Sequence, residues 1–262
     1  MKNLIDLERF ALDKPGSPEW NALVQSCRDD LAEHGMFSLD GLLRPALAAQ
    51  AVATLQDEFA KRSFLHGRSH NIYFSDSIAG LSADHPANKQ VKTSNRTLCA
   101  DQLPAQPLMD VYNWAPLHQF LAATMDLAAL YPMDDPLASV NVMAYGEGQA
   151  LNWHFDRSEF TTTLLLQAAD AGGAFEYRTG LRSESDPNFD GVGKLLRGHD
   201  TKVQQISLSP GTLNVFKGKN TAHRVTPVEG EKDRVIAVFC YYENPGVAFS
   251  NAERLGFYGR TG

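Results

Sequence analysis

The stretch Asn152-Trp153-His154-Phe155-Asp156 constrains this chain more than any other. It follows Leu137 to Tyr145, a run rich in β formers, so it reads as a strand end. Side chains two apart on a strand share a face. His154 and Asp156 therefore aim at one point, with Phe155 on the other side. A third ligand must come from elsewhere. His223 is the candidate, following a turn at Ser209-Pro210-Gly211 and a short strand from Leu213 to Lys217. Two imidazoles and one carboxylate, with the opposite positions open, form a facial ligand set suited to Fe(II).

Arg234 lies 11 residues after His223 and opens the strand-like run Val235 to Tyr241. A buried guanidinium beside an open metal site needs an anion. A dicarboxylate co-substrate supplies one through a forked pair of hydrogen bonds. A structural salt bridge is the competing reading, but Ile236 and Val238 place Arg234 among apolar neighbours.

The chain has 262 residues, of which 43% are hydrophobic, enough for one full core. The expected organisation is a single domain: a mostly helical scaffold over 1–135, a catalytic core over 136–245 and a C-terminal tail over 246–262. A net charge of −7 and the lack of any basic run argue against a nucleic-acid partner. Cys27, Cys99 and Cys240 form no paired motif, which points to free thiols in a reducing compartment. The first residues lack an apolar signal segment, and no apolar run is long enough to span a membrane. A cytoplasmic protein with a small-molecule substrate and no membrane partner is expected, with homo-oligomerisation left open.

Ser17-Pro18 starts a helix that Gly35 stops, and Met36–Leu39 follows as a short strand. A second helix runs from Pro45 to about Lys61, and a third starts near Pro116. Arg68 to Phe74 reads as a strand with Arg68, His70, Ile72 and Phe74 on one face. Its polar positions Arg68, His70 and Asn71 are candidate substrate contacts, weighed against ordinary solvated residues. After Pro136 short strands alternate with glycine and proline turns, as in an antiparallel sandwich or barrel. The strands run over Ala138–Tyr145, Leu151–Asp156, Phe160–Gln167, Ala174–Thr179, Val203–Leu208, Thr212–Lys217, His223–Pro227 and Arg234–Tyr242. The long polar insertion from Leu181 to Lys202 carries a short helix over Val192 to Arg197 and reads as a lid.

His154-x-Asp156, His223 and Arg234 together resemble the motif of Fe(II)/2-oxoglutarate-dependent dioxygenases, over roughly Leu137 to Tyr242. The resemblance implies a mainly β fold with α elements: a double-stranded β-helix, or jelly roll, behind an N-terminal helical layer. It implies Fe(II) on His154, Asp156 and His223, with 2-oxoglutarate and O2 as co-substrates and Arg234 on the far carboxylate of 2-oxoglutarate. Trp153 to Phe160 and His223 to Val228 also look like the subfamily of amino-acid halogenases and their hydroxylase relatives. Halogenases of that group carry Gly or Ala at the carboxylate position, where this chain has Asp156. The resemblance therefore implies hydroxylation of an unactivated C–H bond in a small polar metabolite such as an amino acid. Many members carry Ser two residues after the Arg. Here Ile236 stands there, which leaves Tyr145, Asn141 and Thr163 as candidates for the second 2-oxoglutarate contact. Arg157, next to the metal carboxylate, is a candidate for the substrate carboxylate; a salt bridge to Glu159 or Glu176 is the alternative.

Two other functions fit a His2Asp site. A zinc hydrolase would need a general base near the metal, and no HExxH-like Glu is present. A non-catalytic metal-binding jelly roll is the other. Neither accounts for Arg234.

Overall fold

Ser17 caps the first helix, α1 (Pro18–Glu33), its Oγ accepting from the Trp20 backbone N–H at 3.2 Å. The computed structural model describes residues 1–103 and 107–262. In chain order β1 (Met36–Leu39), α2 (Pro45–Arg62), β2 (Phe64–His70) and β3 (Val91–Leu98) follow. Then come α3 (Pro107–Tyr112), α4 (Ala115–Thr124), β4 (Val140–Tyr145), β5 (Leu151–His154), β6 (Thr161–Gln167) and β7 (Phe175–Arg178). The last elements are α5 (Phe189–Leu196), β8 (Gln204–Ile206), β9 (Leu213–Phe216), β10 (Ala222–Val225), β11 (Arg234–Phe239) and α6 (Asn251–Tyr258).

The main strands form two antiparallel sheets, one of seven strands in the order β1-β9-β6-β11-β4-β3-β2 and one of four in the order β8-β7-β10-β5. This is the expected mainly β jelly roll. Alternation along the strands divides the seven-stranded sheet into two faces. Val140, Val142, Ala144, Leu164, Leu166, Val235 and Ala237 point to one side and share a core with Val24, Cys27 and Leu31 of α1, Leu55 of α2 and Phe120 of α4. The helical layer therefore covers one face of this sheet. The intervening residues Tyr145, Thr163, Asn214, Arg234, Ile236 and Val238 line a cavity on the other face. The N-terminal half also contributes strands, because β2 and β3 extend the sheet beyond β4.

Several expectations are corrected. The strand read over Arg68 to Phe74 stops at His70. Asn71 ends it: its Oδ1 accepts from the backbone N–H groups of Tyr73 and Ser75, both at 3.0 Å, and turns the chain. Phe74 then takes a left-handed φ of 55°. The strand read over Arg234 to Tyr242 breaks at Cys240, whose N–H bonds Ser139 O at 3.1 Å, so Tyr241 and Tyr242 pair separately with Pro132 and Tyr131.

The insertion from Leu181 to Lys202 is not a cover over the cavity. Val192 and Leu195 of α5 pack with Ile72, Ala87, Phe155 and Leu181, on the flank. Of this segment only Arg182 lines the cavity. Residues 246–262, read as a tail, contain α6, held by a Ser250/Glu253 capping box and by the Arg254–Asp135 ion pair at 2.9 Å. Among the described residues no helix is long and apolar enough to cross a membrane.

Candidate metal and co-substrate site

His154 ends β5 and His223 sits in β10, and the two are register partners across that strand pair. The ladder alone brings their rings to a centroid distance of 4.0 Å. Asp156 lies just past the end of β5, its N–H bonded to Gly218 O at 3.1 Å. A Cβ at position 218 would collide with the Asp156 carboxylate, so glycine is required there by close approach. Asp156 Oδ1 is 3.3 Å from His154 Nε2, and Asp156 Oδ2 is 3.5 Å from His223 Nε2. The three ligand atoms lie within 4.8 Å of one another, a spacing that fits one metal ion.

Each imidazole is oriented the same way. His154 Nδ1 contacts Asn152 O at 2.8 Å and His223 Nδ1 contacts Thr221 O at 2.9 Å. A carbonyl only accepts, so Nδ1 carries the proton and Nε2 is turned to the metal position. Thr161 Oγ1 donates to Asp156 Oδ2 at 2.5 Å and holds the carboxylate.

The metal-free charges follow from burial and mutual attraction. Burial pushes the Asp156 carboxyl up, but the His223 charge and the hydrogen bonds from both imidazoles outweigh it and leave it well below the usual carboxylate range. Burial lowers His154, reinforced by the charge on His223 and only partly offset by Asp156. At His223 burial also opposes the charged form, yet the charge of Asp156 prevails and its pKa is raised.

Arg234 opens β11 at 4% exposure in the same cavity, a space of about 810 Å³ that also contains His154, Asp156 and His223. Its Nη1 is buried without a hydrogen-bond partner. Among the described residues no acid pairs with it; its neighbour is Tyr145, whose ring centroid lies 6.0 Å from the guanidinium carbon. Burial pushes Arg234 down and raises the Tyr145 hydroxyl to about 12. Both stay protonated near neutrality, so a buried cation stands uncompensated. A carboxylate would satisfy it, so the residues fit 2-oxoglutarate at this end and iron at the other.

The remaining predicted residues divide. Tyr145 is the cross-strand partner of Arg234 and stays a candidate for the second carboxylate contact. Thr163 pairs with Val238, four residues along β11, roughly 13 Å from Arg234 at strand rise. It lines the cavity but stands too far away for the same carboxylate. Asn141 is engaged elsewhere: Nδ2 donates to Leu137 O at 2.7 Å and Oδ1 accepts from the Tyr258 hydroxyl at 2.9 Å. Arg68, His70 and Arg157 line the cavity, whereas Asn71 does not.

His70 is held on both sides. Its Nδ1 faces Asn71 O at 2.9 Å, so its Nε2 accepts from Thr93 Oγ1 at 2.7 Å. Thr93 Oγ1 in turn accepts from the Asn152 N–H at 3.2 Å, and Asn152 O orients His154. His70 thus supports a metal-ligand imidazole through two intermediates. Sequence reading missed Asn95 and Thr97 of β3 and Phe257 and Tyr258 of α6, all of which line the cavity. The Ser250-x-x-Glu253 spacing was the available signal for α6.

The family model for Halogenase D matches residues 20–249. The chain belongs to the Halogenase D family. No curated protein matches it by sequence. Among solved structures, the non-haem α-ketoglutarate-dependent carbocyclase SnoK of nogalamycin biosynthesis aligns at a TM-score of 0.57 and 9% identity, over 86% of this chain and 87% of its own. The epimerase SnoN of the same biosynthesis aligns at 0.56 and 13% identity, over 84% and 81%. An oxidoreductase of the 2OG-Fe(II) oxygenase family from Burkholderia pseudomallei aligns at 0.51 and 16%, over 89% and 94%. This Halogenase D family member therefore has the jelly-roll fold of 2-oxoglutarate/Fe(II) oxygenases, with a His-Asp-His group inside it.

Proposed function

We propose that this chain is an Fe(II)- and 2-oxoglutarate-dependent oxygenase that hydroxylates an unactivated C–H bond of a small polar metabolite such as an amino acid. The observation that carries the reading is Arg234: a buried guanidinium with an unpartnered Nη1, in one cavity with a three-ligand metal group. In this reading His154, Asp156 and His223 hold iron, and Arg234 binds the far carboxylate of 2-oxoglutarate. Iron and 2-oxoglutarate together supply an oxidant able to break a C–H bond, with succinate and carbon dioxide released. The chain orients both: the Nδ1 contacts fix the imidazoles, Thr161 holds Asp156, and Ile236, Val238 and Phe155 give the cavity apolar walls. Arg68 and Arg157 meet the substrate.

Asp156 favours hydroxylation over halogenation. Its carboxylate stands within 3.5 Å of both imidazole Nε2 atoms, so the third ligand position belongs to the protein and is not left for a halide. A zinc hydrolase is disfavoured because it gives the buried, unpartnered guanidinium of Arg234 nothing to bind.

The test is anaerobic loading with Fe(II) and 2-oxoglutarate, then exposure to air in chloride buffer with a panel of amino acids. Succinate in step with a product heavier by one oxygen is expected. A chlorinated product would replace the hydroxylase reading, and no succinate under any condition would end the oxygenase reading.

A further inference from the structure

Among the described residues, three that are not glycine take a left-handed φ: Asp126 at 57°, Asn188 at 46° and Phe74 at 55°. Asp and Asn enter this region readily, because a short polar side chain can bond the local backbone. Phe74 has no such compensation, and a bulky residue there is strained. The surrounding turn holds it in place. Asn71 is wholly buried, and its Oδ1 accepts from the N–H groups of Tyr73 and Ser75, both at 3.0 Å. Its carbonyl accepts from the Phe74 N–H at 3.0 Å. The same turn is fastened to the metal-ligand segment: the Phe155 N–H bonds Ile72 O at 3.1 Å, and the Tyr73 and Phe155 rings stack at 5.4 Å. A residue kept in a costly conformation by all its neighbours points to a use for its side chain.

Core packing is not that use. Ile72 packs with Phe155, Val192 and Leu195, and Tyr73 rests against the same cluster. Phe74 belongs to none of the apolar clusters among the described residues. Its ring is half-buried and lines the cavity. It lies against the His70 ring, centroids 4.5 Å apart and planes at 31°, and meets the ring of the metal ligand His154 edge to face at 5.4 Å. His70 is itself held by Asn71 O and Thr93 Oγ1. The Phe74 ring therefore stands in the cavity wall at a set distance from His154, with apolar area that the protein leaves uncovered.

We infer that Phe74 is a specificity-determining residue: the aliphatic carbons of the substrate pack on its ring, and the strained turn from Asn71 to Ser75 sets how far they stand from the metal ligands. The inference rests on the oxygenase reading above. Each methylene removed from water on the ring adds affinity. The site should therefore favour a chain of several carbons over a short one, whatever group ends the chain.

The experiment is an anaerobic calorimetric titration of the protein loaded with Fe(II) and 2-oxoglutarate, using alanine, leucine, glutamine, glutamate and lysine in turn. At least one of the four longer amino acids should bind about 10-fold or more tighter than alanine, the gain from burying about two methylenes. Phe74→Ala should erase that advantage, and Phe74→Leu should keep part of it. Thermal unfolding of Phe74→Gly beside Phe74→Ala controls for the fold. Glycine suits the left-handed φ, so Phe74→Gly should be the more stable of the two and still lose the advantage as fully. A loss shared by two variants of different stability follows the ring and not the fold. If Phe74→Ala keeps the advantage, or if none of the four binds the natural protein more tightly than alanine, the inference is overturned while the oxygenase reading stands. If 2-oxoglutarate itself fails to bind to the iron-loaded protein, the oxygenase reading falls and takes the inference with it.

Discussion

Arg234 and Tyr145 are register partners on adjacent strands, and the guanidinium they bury together has no counter-charge among the described residues. Tyr145 gives the cation an aromatic neighbour but cannot neutralise it, since burial raises its hydroxyl to about 12. The strand fixes the backbone of Arg234, and burial at 4% exposure restricts its side chain before any ligand arrives, which lowers the ordering cost of binding. Gly173, at φ +59°, admits this packing: a Cβ there would stand 3.0 Å from Arg234 Cδ.

Arg234→Lys should therefore raise the 2-oxoglutarate concentration for half-maximal turnover about 10- to 100-fold. That corresponds to losing one charge-assisted hydrogen bond, about 1.5–3 kcal/mol. Steady-state kinetics with 2-oxoglutarate as the varied component is the check. An unchanged requirement would place the co-substrate elsewhere.

His154→Ala and His223→Ala should each abolish stoichiometric Fe(II) binding and turnover while the fold persists. The rings sit at a strand pair whose backbone bonds do not depend on them. Anaerobic metal titration beside near-ultraviolet circular dichroism separates the two effects. Full iron binding in either variant would refute the ligand assignment.

Acid should weaken metal binding. Asp156 outweighs burial to raise His223 above its ordinary value, so in the metal-free protein His223 keeps its proton past the usual range. That proton must leave Nε2 when the metal enters. Affinity should be highest above the raised His223 value and fall as pH drops through it. Stability of the metal-free fold runs the other way: the His223 contribution is full below the unfolded value and fades as pH rises through the folded one. Mn(II) titrations from about pH 6 to about pH 8 would show the trend, and a flat affinity contradicts it.

Arg254→Ala should cost about 3 kcal/mol of stability, because it leaves the fully buried Asp135 carboxylate without its cation. The backbone N–H groups of Leu137, Ala138 and Phe249 still reach Asp135 and keep the loss from being larger. The same change loosens α6, which carries Phe257 and Tyr258 into the cavity, so the KM for substrate should rise more than that for 2-oxoglutarate. Thermal unfolding and paired KM values report the two effects; a stable variant with unaltered KM values would show that α6 is held in place by its other contacts.

The sequence was most legible where spacing carries geometry. The two-residue period placed His154 and Asp156 near one point, and the Ser17-Pro18 start and the run from Pro45 gave helices close to those found. It was least legible where a side chain redirects the backbone. Asn71 ends β2 by bonding two N–H groups ahead of it, which the alternating pattern through Phe74 conceals. Cys240 breaks the last long strand because its N–H goes to Ser139 O, a long-range contact with no local signature. The flank position of α5 depends on Ile72 and Ala87, far away in the chain, so loop length alone suggested a lid.

The spacing of His154 from His223 is set by a pair of hydrogen-bonded strands, not by the chain that runs between them. Insertions and deletions between β5 and β10 can therefore accumulate without moving the ligands, at a closure cost that grows only logarithmically with loop length. The segment from Leu181 to Lys202 occupies this permissive interval and contributes Arg182 to the cavity. What the cavity presents to a substrate can thus be rewritten in one excursion of the chain, while the strand pair keeps the ligand spacing unchanged.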